Sequence, residues 1–278
     1  MNRIPFSEVL KNASIDIHRE YDRLYGIFYL QKIPNEYGNN TTLKDSCALN
    51  FINLPFRGTC VSLDDFDDFY DYNFEKAPSD FSIDYLISFC EYSYNLAIYN
   101  QGVGFAGLNI SVSKSMQFYV QQVNKVIEVI GYMPNTQNGI TDFVPKDQAA
   151  ISVAEIVNPE LSYKVIEYNH HSMKGNLEGK RAILIALADR LEPERKTLKQ
   201  INNTLDTDLF YLFNNINIRH NNVDKNGGYY KSAVASMDND ETEKWYDETY
   251  QMCLLAFLEL EHNERKKRVA DLKKTING

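Results

Sequence analysis

The stretch DTDLFYLFNNINIRHNN, residues 206 to 222, combines a hydrophobic helical stripe with a polar end. As one continuous helix it places aliphatic residues on a single face, with His220 next on that face and Arg219 beside it. The stripe consists of Leu205, Leu209, Leu212 and Ile216. An imidazole and a guanidinium at the solvent-facing end of an apolar stripe make this end the candidate site.

The segment after this stretch predicts one long C-terminal helix. Asp238 and Glu241 have the spacing of a capping box, and about 36 residues of helix would span about 54 Å. Its apolar row becomes polar midway, so we expect the first half in the core and the second half exposed or against another chain. That row is Leu254 or Leu255, Leu258, His262, Arg265, Val269, Leu272 and Ile276.

The basic run RKKR, residues 265 to 268, lies near the end of this helix, followed by Lys273 and Lys274. Cations are favourable there because the helix dipole is negative at its C-terminus. A strip that contacts RNA is the alternative interpretation.

Hydrophobic residues at helical spacing predict several further helices upstream. They are the segments Phe6 to Leu30 and Ser113 to Ile130, and helices capped by Asp80, Asn158 and Asn176. The last two caps are strong signals, with Pro159 in the first turn after Asn158. The segment GYMPNTQNGITDFVP, which begins at Gly131, is predicted as a loop.

Alternation of polar and apolar residues never extends beyond a few positions, which argues against a substantial sheet. The fold class is therefore all-α, a multi-helix array with an irregular N-terminal third and a long C-terminal helix. We divide the chain into an N-terminal region, residues 1–79, and a helical domain, residues 80–278. Within the first region, DDFDDFYDYNFE lacks the glycine and distant glutamate of a calcium loop, so we expect solvated acids with aromatics packed inward.

Composition excludes some classes of function. The chain has 278 residues and a net charge of −9, which argues against general DNA binding or binding to an anionic membrane. No apolar run is long enough for a membrane span. Four scattered cysteines without a CxxC pair predict reduced thiols and a cytoplasmic protein. They are Cys47, Cys60, Cys90 and Cys253.

Two motifs have the residue spacing of known ligand sites. Gly102, Gly104 and Gly107 have the spacing of a dinucleotide fingerprint, but a helix precedes them where a strand is required, so we predict a helix connection and no cofactor. Two ExxH pairs, Glu167 with His170 and Glu259 with His262, have the spacing of di-iron ligands. Helical chains rich in glutamate produce such pairs by chance, and we predict no metal. His170 and His171 are expected at a helix C-terminus that ends by Gly175.

The stretch NNINIRHNN after an amphipathic helix, then a polar loop and a long terminal helix containing KKRVADL, resembles the HEPN superfamily. These are helical domains of bacterial abortive-infection and toxin proteins. The resemblance covers residues 159–274. It implies a role in antiviral defence and a homodimer that cuts RNA without metal, through the 2′-hydroxyl, at a helix end that pairs with its copy.

The family's active members carry an Arg, a polar residue, and a His four to six residues after the Arg. His220 occupies the His position, the Arg position falls on Asn214 or Asn215, and Arg219 directly precedes the His. Asparagine cannot stabilise phosphorane charge as a guanidinium does. Arg219 would then bind phosphate from a shifted place, with His220 as general acid or base.

A structural interpretation competes with this one. In it His220 ends the helix and bonds to the asparagine-rich turn, while Arg219 pairs with an acid such as Asp208 or Asp224. Two functions follow. The first is a HEPN-like ribonuclease or a degenerate relative of one, and the second is a non-catalytic interaction module whose acidic, aromatic segment between Thr41 and Pro78 binds a protein partner.

Overall fold

The computed structural model describes residues 16–34, 39–102 and 110–277. These residues form two compact units, one ending at Phe143 and the other beginning at Val144. The division proposed after residue 79 lies inside the first unit. Residues 6–15 of the first predicted helix, and Gly104 and Gly107 of the glycine-rich connection, lie outside the described residues. About 68% of the structure is helical, which confirms the all-α prediction.

The first unit is a set of helices with two small antiparallel sheets. Helix α1 continues into a π-helical turn over Gly26–Leu30, and a 3-10 turn over Phe51–Asn53 follows α2. The helices are α1 Ile17–Tyr25, α2 Leu43–Leu49, α3 Leu63–Tyr70, α4 Ile83–Gly102 and α5 Ile110–Val129. The strands are β1 Ile33–Pro34, β2 Asn40–Thr41, β3 Tyr132–Gln137 and β4 Ile140–Pro145, paired β1 with β2 and β3 with β4.

The core of the first unit is rich in aromatic rings. Tyr21 of α1 is fully buried and its ring lies 5.0 Å from that of Phe89 on α4. Between α4 and α5 the Tyr119 hydroxyl donates to Ser93 Oγ over 2.7 Å, so the polar tip of a buried tyrosine has a partner. Burial explains why this chain can carry many aromatic residues and still have a polar composition.

The acidic segment contains a short helix, α3, whose Ser62 cap accepts from the Asp65 amide. Phe66 is buried, as expected, but one of the acids is buried too. Asp67 is 1% exposed and binds Lys44 Nζ at 2.7 Å. It also accepts from the Tyr92 hydroxyl at 2.7 Å, so the prediction that the acids are solvated is wrong for this residue.

The predicted loop after Gly131 is a hairpin of β3 and β4. Asn138 and Gly139, which join the strands, have φ of 53° and 80°. Positive φ at both central residues is the type I′ geometry, and Asn-Gly is its preferred sequence. The loop prediction is therefore wrong, because Asn138 and Gly139 form a tight turn that lets the flanking residues pair as strands. Ser82, and not Asp80, caps α4 by accepting from the Tyr85 amide.

The second unit is helical throughout its main body. Three-residue 3-10 turns occur at His171–Met173 and Glu192–Glu194. Its helices are α6 Gln148–Ala154, α7 Pro159–Glu167, α8 Leu177–Leu191, α9 Arg195–Ile201, α10 Asn203–Asn215, α11 Ser232–Ala235 and α12 Asn239–Asn277. Asn158 caps α7 through the Leu161 amide, and Asn176 caps α8 through the Gly179 amide, which confirms both predicted caps.

Helix α12 runs for 39 residues, three more than the roughly 36 predicted, and Asp238 caps it by accepting from the Glu241 amide at 2.8 Å. Its first half supplies buried residues to the unit, and residues 264–277 are exposed. The buried residues are Tyr246, Thr249, Tyr250, Cys253, Leu254, Ala256 and Phe257. The predicted change from core to outward-facing helix is therefore confirmed.

None of the described helices has the length and apolar character of a membrane span.

Candidate functional site

Helix α10 ends earlier than its hydrophobic stripe predicts. The last helical residue is Asn215, and Asn217 adopts the left-handed conformation with φ of 63°. The Arg219 amide then donates back to the Phe213 carbonyl at 2.9 Å, which closes the end of the helix. A single helix that carries the stripe on to His220 was therefore the wrong prediction. His220 lies in the loop beyond the helix end.

The asparagines after α10 bind one another. The Asn217 amide donates to Asn222 Oδ1 at 2.7 Å, and the Asn222 amide donates to Asn217 Oδ1 at 3.2 Å. Asn222 is fully buried, and its Nδ2 donates to the carbonyls of Asn214 and Tyr229. Because this side chain uses both its acceptor and its donors on backbone groups, it fixes the loop conformation.

Two other elements of the unit hold the same loop. Arg181 of α8 donates from Nε to the Asn217 carbonyl at 2.6 Å and to the Ile218 carbonyl at 3.0 Å. The Tyr246 hydroxyl of α12 donates to the Asn217 carbonyl at 3.3 Å. The loop is anchored to α8 and α12 through carbonyls that the helix end would otherwise leave without partners.

Arg219 is bound by acids near the end of α8. Its guanidinium pairs with Glu192, and a second contact joins Nη2 to Asp189 Oδ1 at 3.5 Å. The guanidinium also lies 5.6 Å from the Phe213 ring centre, and the side chain is 19% exposed. The structural interpretation was right that Arg219 pairs with an acid, but its proposed partners, Asp208 and Asp224, were wrong.

His220 has a different partner. Its ring stacks on that of Tyr229, with centroids 4.0 Å apart and an angle of 6° between planes. Of the two residues at the family's Arg position, Asn215 donates from Nδ2 to the Tyr211 carbonyl, and Asn214 accepts from Asn222 through its carbonyl. The four predicted site residues therefore lie near one helix end, each bound to groups outside the predicted set.

The ExxH pairs are not two matching helical pairs. Helix α7 ends at Glu167, earlier than predicted, and His170 starts the following 3-10 turn. Glu259 of α12 accepts from Asn202 Nδ2 at 3.0 Å, and His262 is exposed. Two ExxH motifs that face each other from two helices are the arrangement that di-iron chemistry needs.

A buried ion-pair cluster around Lys180 was missed in the sequence. Lys180 is 6% exposed, and its Nζ lies 2.7 Å from Glu243 and 2.6 Å from Asp247. The Tyr168 hydroxyl donates to Asp247 at 3.0 Å. The hydrogen bond from Lys180, and next that from the Gly175 amide, lower the pKa of Glu243 below its usual value. A lysine on the buried stripe of α8, in line with Leu184 and Leu187, was the available signal.

This cluster lies beside a cleft of about 460 Å³. The cleft is lined by Lys174, Asp240, Glu243, Lys244, Asp247, Glu248 and Gln251. Two carboxylates compensate the charge of the buried ammonium, so the cluster acts as a polar connection between α8 and α12.

From residue 255 onward, one side of α12 leaves large apolar side chains in solvent, unlike the sites described above. This part of the helix, residues 255–277, is called the outward half. Leu255 is 47% exposed, Val269 49%, Leu272 57% and Ile276 71%. Three residues of the basic run beside them, Arg265, Lys267 and Arg268, are paired within the helix. Glu261 binds Arg265 at 3.1 Å and Arg268 at 2.7 Å, Glu264 binds Lys267, and Asp271 binds Lys274.

Comparison with protein-family models, with curated proteins and with solved structures gives no match for this chain.

Proposed function

We propose that this chain is a non-catalytic helical interaction protein, in which the positions that resemble a HEPN active site have become structural. The observation that carries the proposal is the row of exposed aliphatic side chains on the outward half of α12, from Leu255 to Ile276. Large apolar residues in register on one helix face are typical of a surface that binds another protein.

The environment of Arg219 supports the absence of catalysis. A guanidinium that stabilises a phosphorane needs its donors directed at the phosphate. The Arg219 guanidinium instead binds Glu192 and Asp189, which neutralise its charge and would repel an approaching phosphate. The same two carboxylates explain why an arginine directly before His220 is not equivalent to one at the family's Arg position.

The loop around His220 also supports the proposal. The amide of Asn215, at one of the two positions that match the family's Arg, is bound within α10. Asn222 and Asn217 form a reciprocal pair that fixes the loop. His220 packs flat on Tyr229. We infer that the polar residues of this stretch are present because a helix end and a tight loop need them.

A contact with RNA through residues 265–268 is less favoured than protein binding. Arg265 and Arg268 share Glu261, and Lys267 binds Glu264. Paired cations contribute less to the neutralisation of phosphates than free ones, and the whole chain carries a charge of −9.

The acidic segment is a second candidate surface for the same interaction function. Phe69 of α3 is 73% exposed, and the neighbouring Asp64 side chain is 88% exposed. That segment, however, also supplies buried residues such as Leu54 and Phe66 to its own unit. Its binding role is therefore tested with Phe69→Ala, because a deletion would remove part of the core.

The catalytic alternative is tested by expressing the wild type, His220→Ala and Asn226→Ala, and by measuring growth and the integrity of cellular RNA. Asn226 is an exposed residue of the same loop and serves as the control. We expect no difference among the three chains. Cleavage of RNA by the wild type and the control that His220→Ala abolishes would contradict the proposal.

A further inference from the structure

We infer that residues 251–276 of α12 pair with the same segment of a second copy of this chain, as an antiparallel two-helix coiled coil. This inference rests on the proposed interaction function and names the partner. It follows from the spacing of the exposed residues, the register that this spacing allows, and the charges that flank it.

The exposed row has the spacing of a coiled-coil seam. Steps of three and four residues alternate along the whole segment, which is the pattern of heptad positions a and d. In order the row is Leu255, Leu258, His262, Arg265, Val269, Leu272 and Ile276, of which all but the half-buried Leu258 are exposed. The row keeps this spacing from Arg265 to Ile276, where α12 is exposed and no longer packs on its own unit.

An antiparallel pairing puts four of the five apolar residues of the row opposite one another, and Ile276 faces the exposed Gln251 of the second copy. In such a pair an a residue faces a d residue of the partner. With the register that sets Leu255 against Leu272 of the second copy, Leu258 faces Val269 of the second copy. The two polar residues, His262 and Arg265, then meet only each other, in the middle of the segment. A polar layer in the centre, with apolar layers on both sides, fixes the register at some cost in stability.

The flanking charges favour the same register. Glu261 comes beside Arg268 of the second copy, and Glu259, which also accepts from Asn202 of its own unit, comes beside Lys266 of the second copy. By symmetry each attraction occurs twice. In a parallel pair Arg265 would face Arg265 of the second copy, and Arg268 would lie beside Lys273 of the second copy, so like charges would meet.

The segment is already helical before it pairs. Glu264 with Lys267 and Asp271 with Lys274 are ion pairs on the side of α12 that faces away from the row. They stabilise the exposed turns, so association does not require the helix to form first.

A lipid surface fits the segment less well than a second copy. Glu259 and Glu261 lie directly beside the apolar row, where an anionic membrane would repel them. Lys267 and Lys274, which would face the lipid headgroups, are bound to acids of their own helix.

Association is measured by sedimentation velocity over a range of protein concentrations, for the wild type, Leu272→Glu and Ala270→Glu. Ala270 is exposed on a different face, so its variant controls for added charge and for helix stability. Each dimer loses two buried leucines in Leu272→Glu, so the association constant falls at least about tenfold. The control dimerises like the wild type. A wild type that stays monomeric at the highest concentration overturns the inference.

A charge-reversal experiment tests the flanking contacts. One chain carries Lys266→Glu and Arg268→Glu, and the other carries Glu259→Lys and Glu261→Lys. Each is expected to be monomeric alone, and an equimolar mixture forms a heterodimer. Failure of the mixture to associate, while the wild type does, would exclude the proposed charge contacts.

The direction of pairing is read from the distance between spin labels at Thr275→Cys in the two copies. The antiparallel register separates them by about 35 Å along the axis, and a parallel pair keeps them within about 20 Å. Binding of the wild type to vesicles of anionic lipid without self-association would also overturn the inference. None of these results depends on RNA cleavage, so failure of the inference and failure of the proposed function are distinguishable.

Discussion

The loop after α10 and the outward half of α12 differ in which side chains are available to a partner. In the loop, a histidine, an arginine and several asparagines suggest chemistry, yet Arg219 and Asn222 are bound to groups of their own unit. On α12 several charges, such as Arg268 with Glu261, are paired too, but Leu272 and Ile276 remain in solvent. The comparison teaches that a cluster of reactive residue types indicates a site only when its groups are available. Here the available surface is apolar.

Among substitutions in these two regions and in the contacts around them, the largest loss of unfolding free energy is expected at Asn222. The substitution Asn222→Ala removes three hydrogen bonds from a fully buried side chain to the backbone of the loop and of α10. Backbone groups left without partners in the interior make the loss about 3 kcal/mol of unfolding free energy. Urea denaturation measures it, with the exposed Asn226→Ala as the control. Equal stability of the two variants would mean that the loop is not the rigid structural element described above.

A smaller loss of unfolding free energy is expected at the ion-pair cluster that connects α8 and α12. The substitution Lys180→Met keeps the apolar stem but leaves Glu243 and Asp247 without their shared cation. Because the Asp247 side chain is half exposed, we expect about 2 kcal/mol, below the range for a fully buried pair. Thermal unfolding checks this value. An unchanged melting temperature would show that the cluster is not structural.

Arg219 and His220 are expected to contribute unequally to the unfolding free energy. The substitution Arg219→Ala breaks the pairs with Glu192 and Asp189 and costs about 1 kcal/mol, because both acids are partly in solvent. His220→Ala loses only a stacked ring and costs less. Denaturation curves of both variants give the order. A larger loss for His220→Ala would make the histidine the main contributor at this helix end.

The smallest effect is a dependence on pH. The pKa of Glu243 is below its usual 4.5 in the folded chain, so its contribution is complete above pH 4.5. It is lost as pH falls from there through the lower folded pKa. Unfolding free energies measured between pH 6 and pH 3 are expected to decline less for Lys180→Met than for the wild type. Parallel curves would contradict the assignment of Lys180 as the main cause.

Local signals made much of this fold predictable. The caps at Asn158, Asn176 and Asp238 are contacts between residues three apart, and the pattern of α12 is periodic along one helix. The hairpin at Asn138 is equally local, but the polar residues of β3 are also typical of a loop, so the sequence does not show the strand.

The candidate site was harder to predict because its contacts are long-range. The helical period of the stripe continues through Ile216, and only the left-handed Asn217 and its pairing with Asn222 end the helix. The acids that bind Arg219 lie about thirty residues earlier, at the end of α8, whereas the acids considered from the sequence were near neighbours. A chain of helices gives no residue-level information on which helix ends meet.

The difference between the loop after α10 and the outward half of α12 is tested most directly by hydrogen–deuterium exchange at low and at high protein concentration. The account predicts that amides of residues 255–276 become more protected as concentration rises, while those of residues 216–222 are protected equally at both concentrations. Protection that appears at His220 and its neighbours, with no change along the outward half of α12, would contradict it. That result would place the contact between copies at the loop after α10.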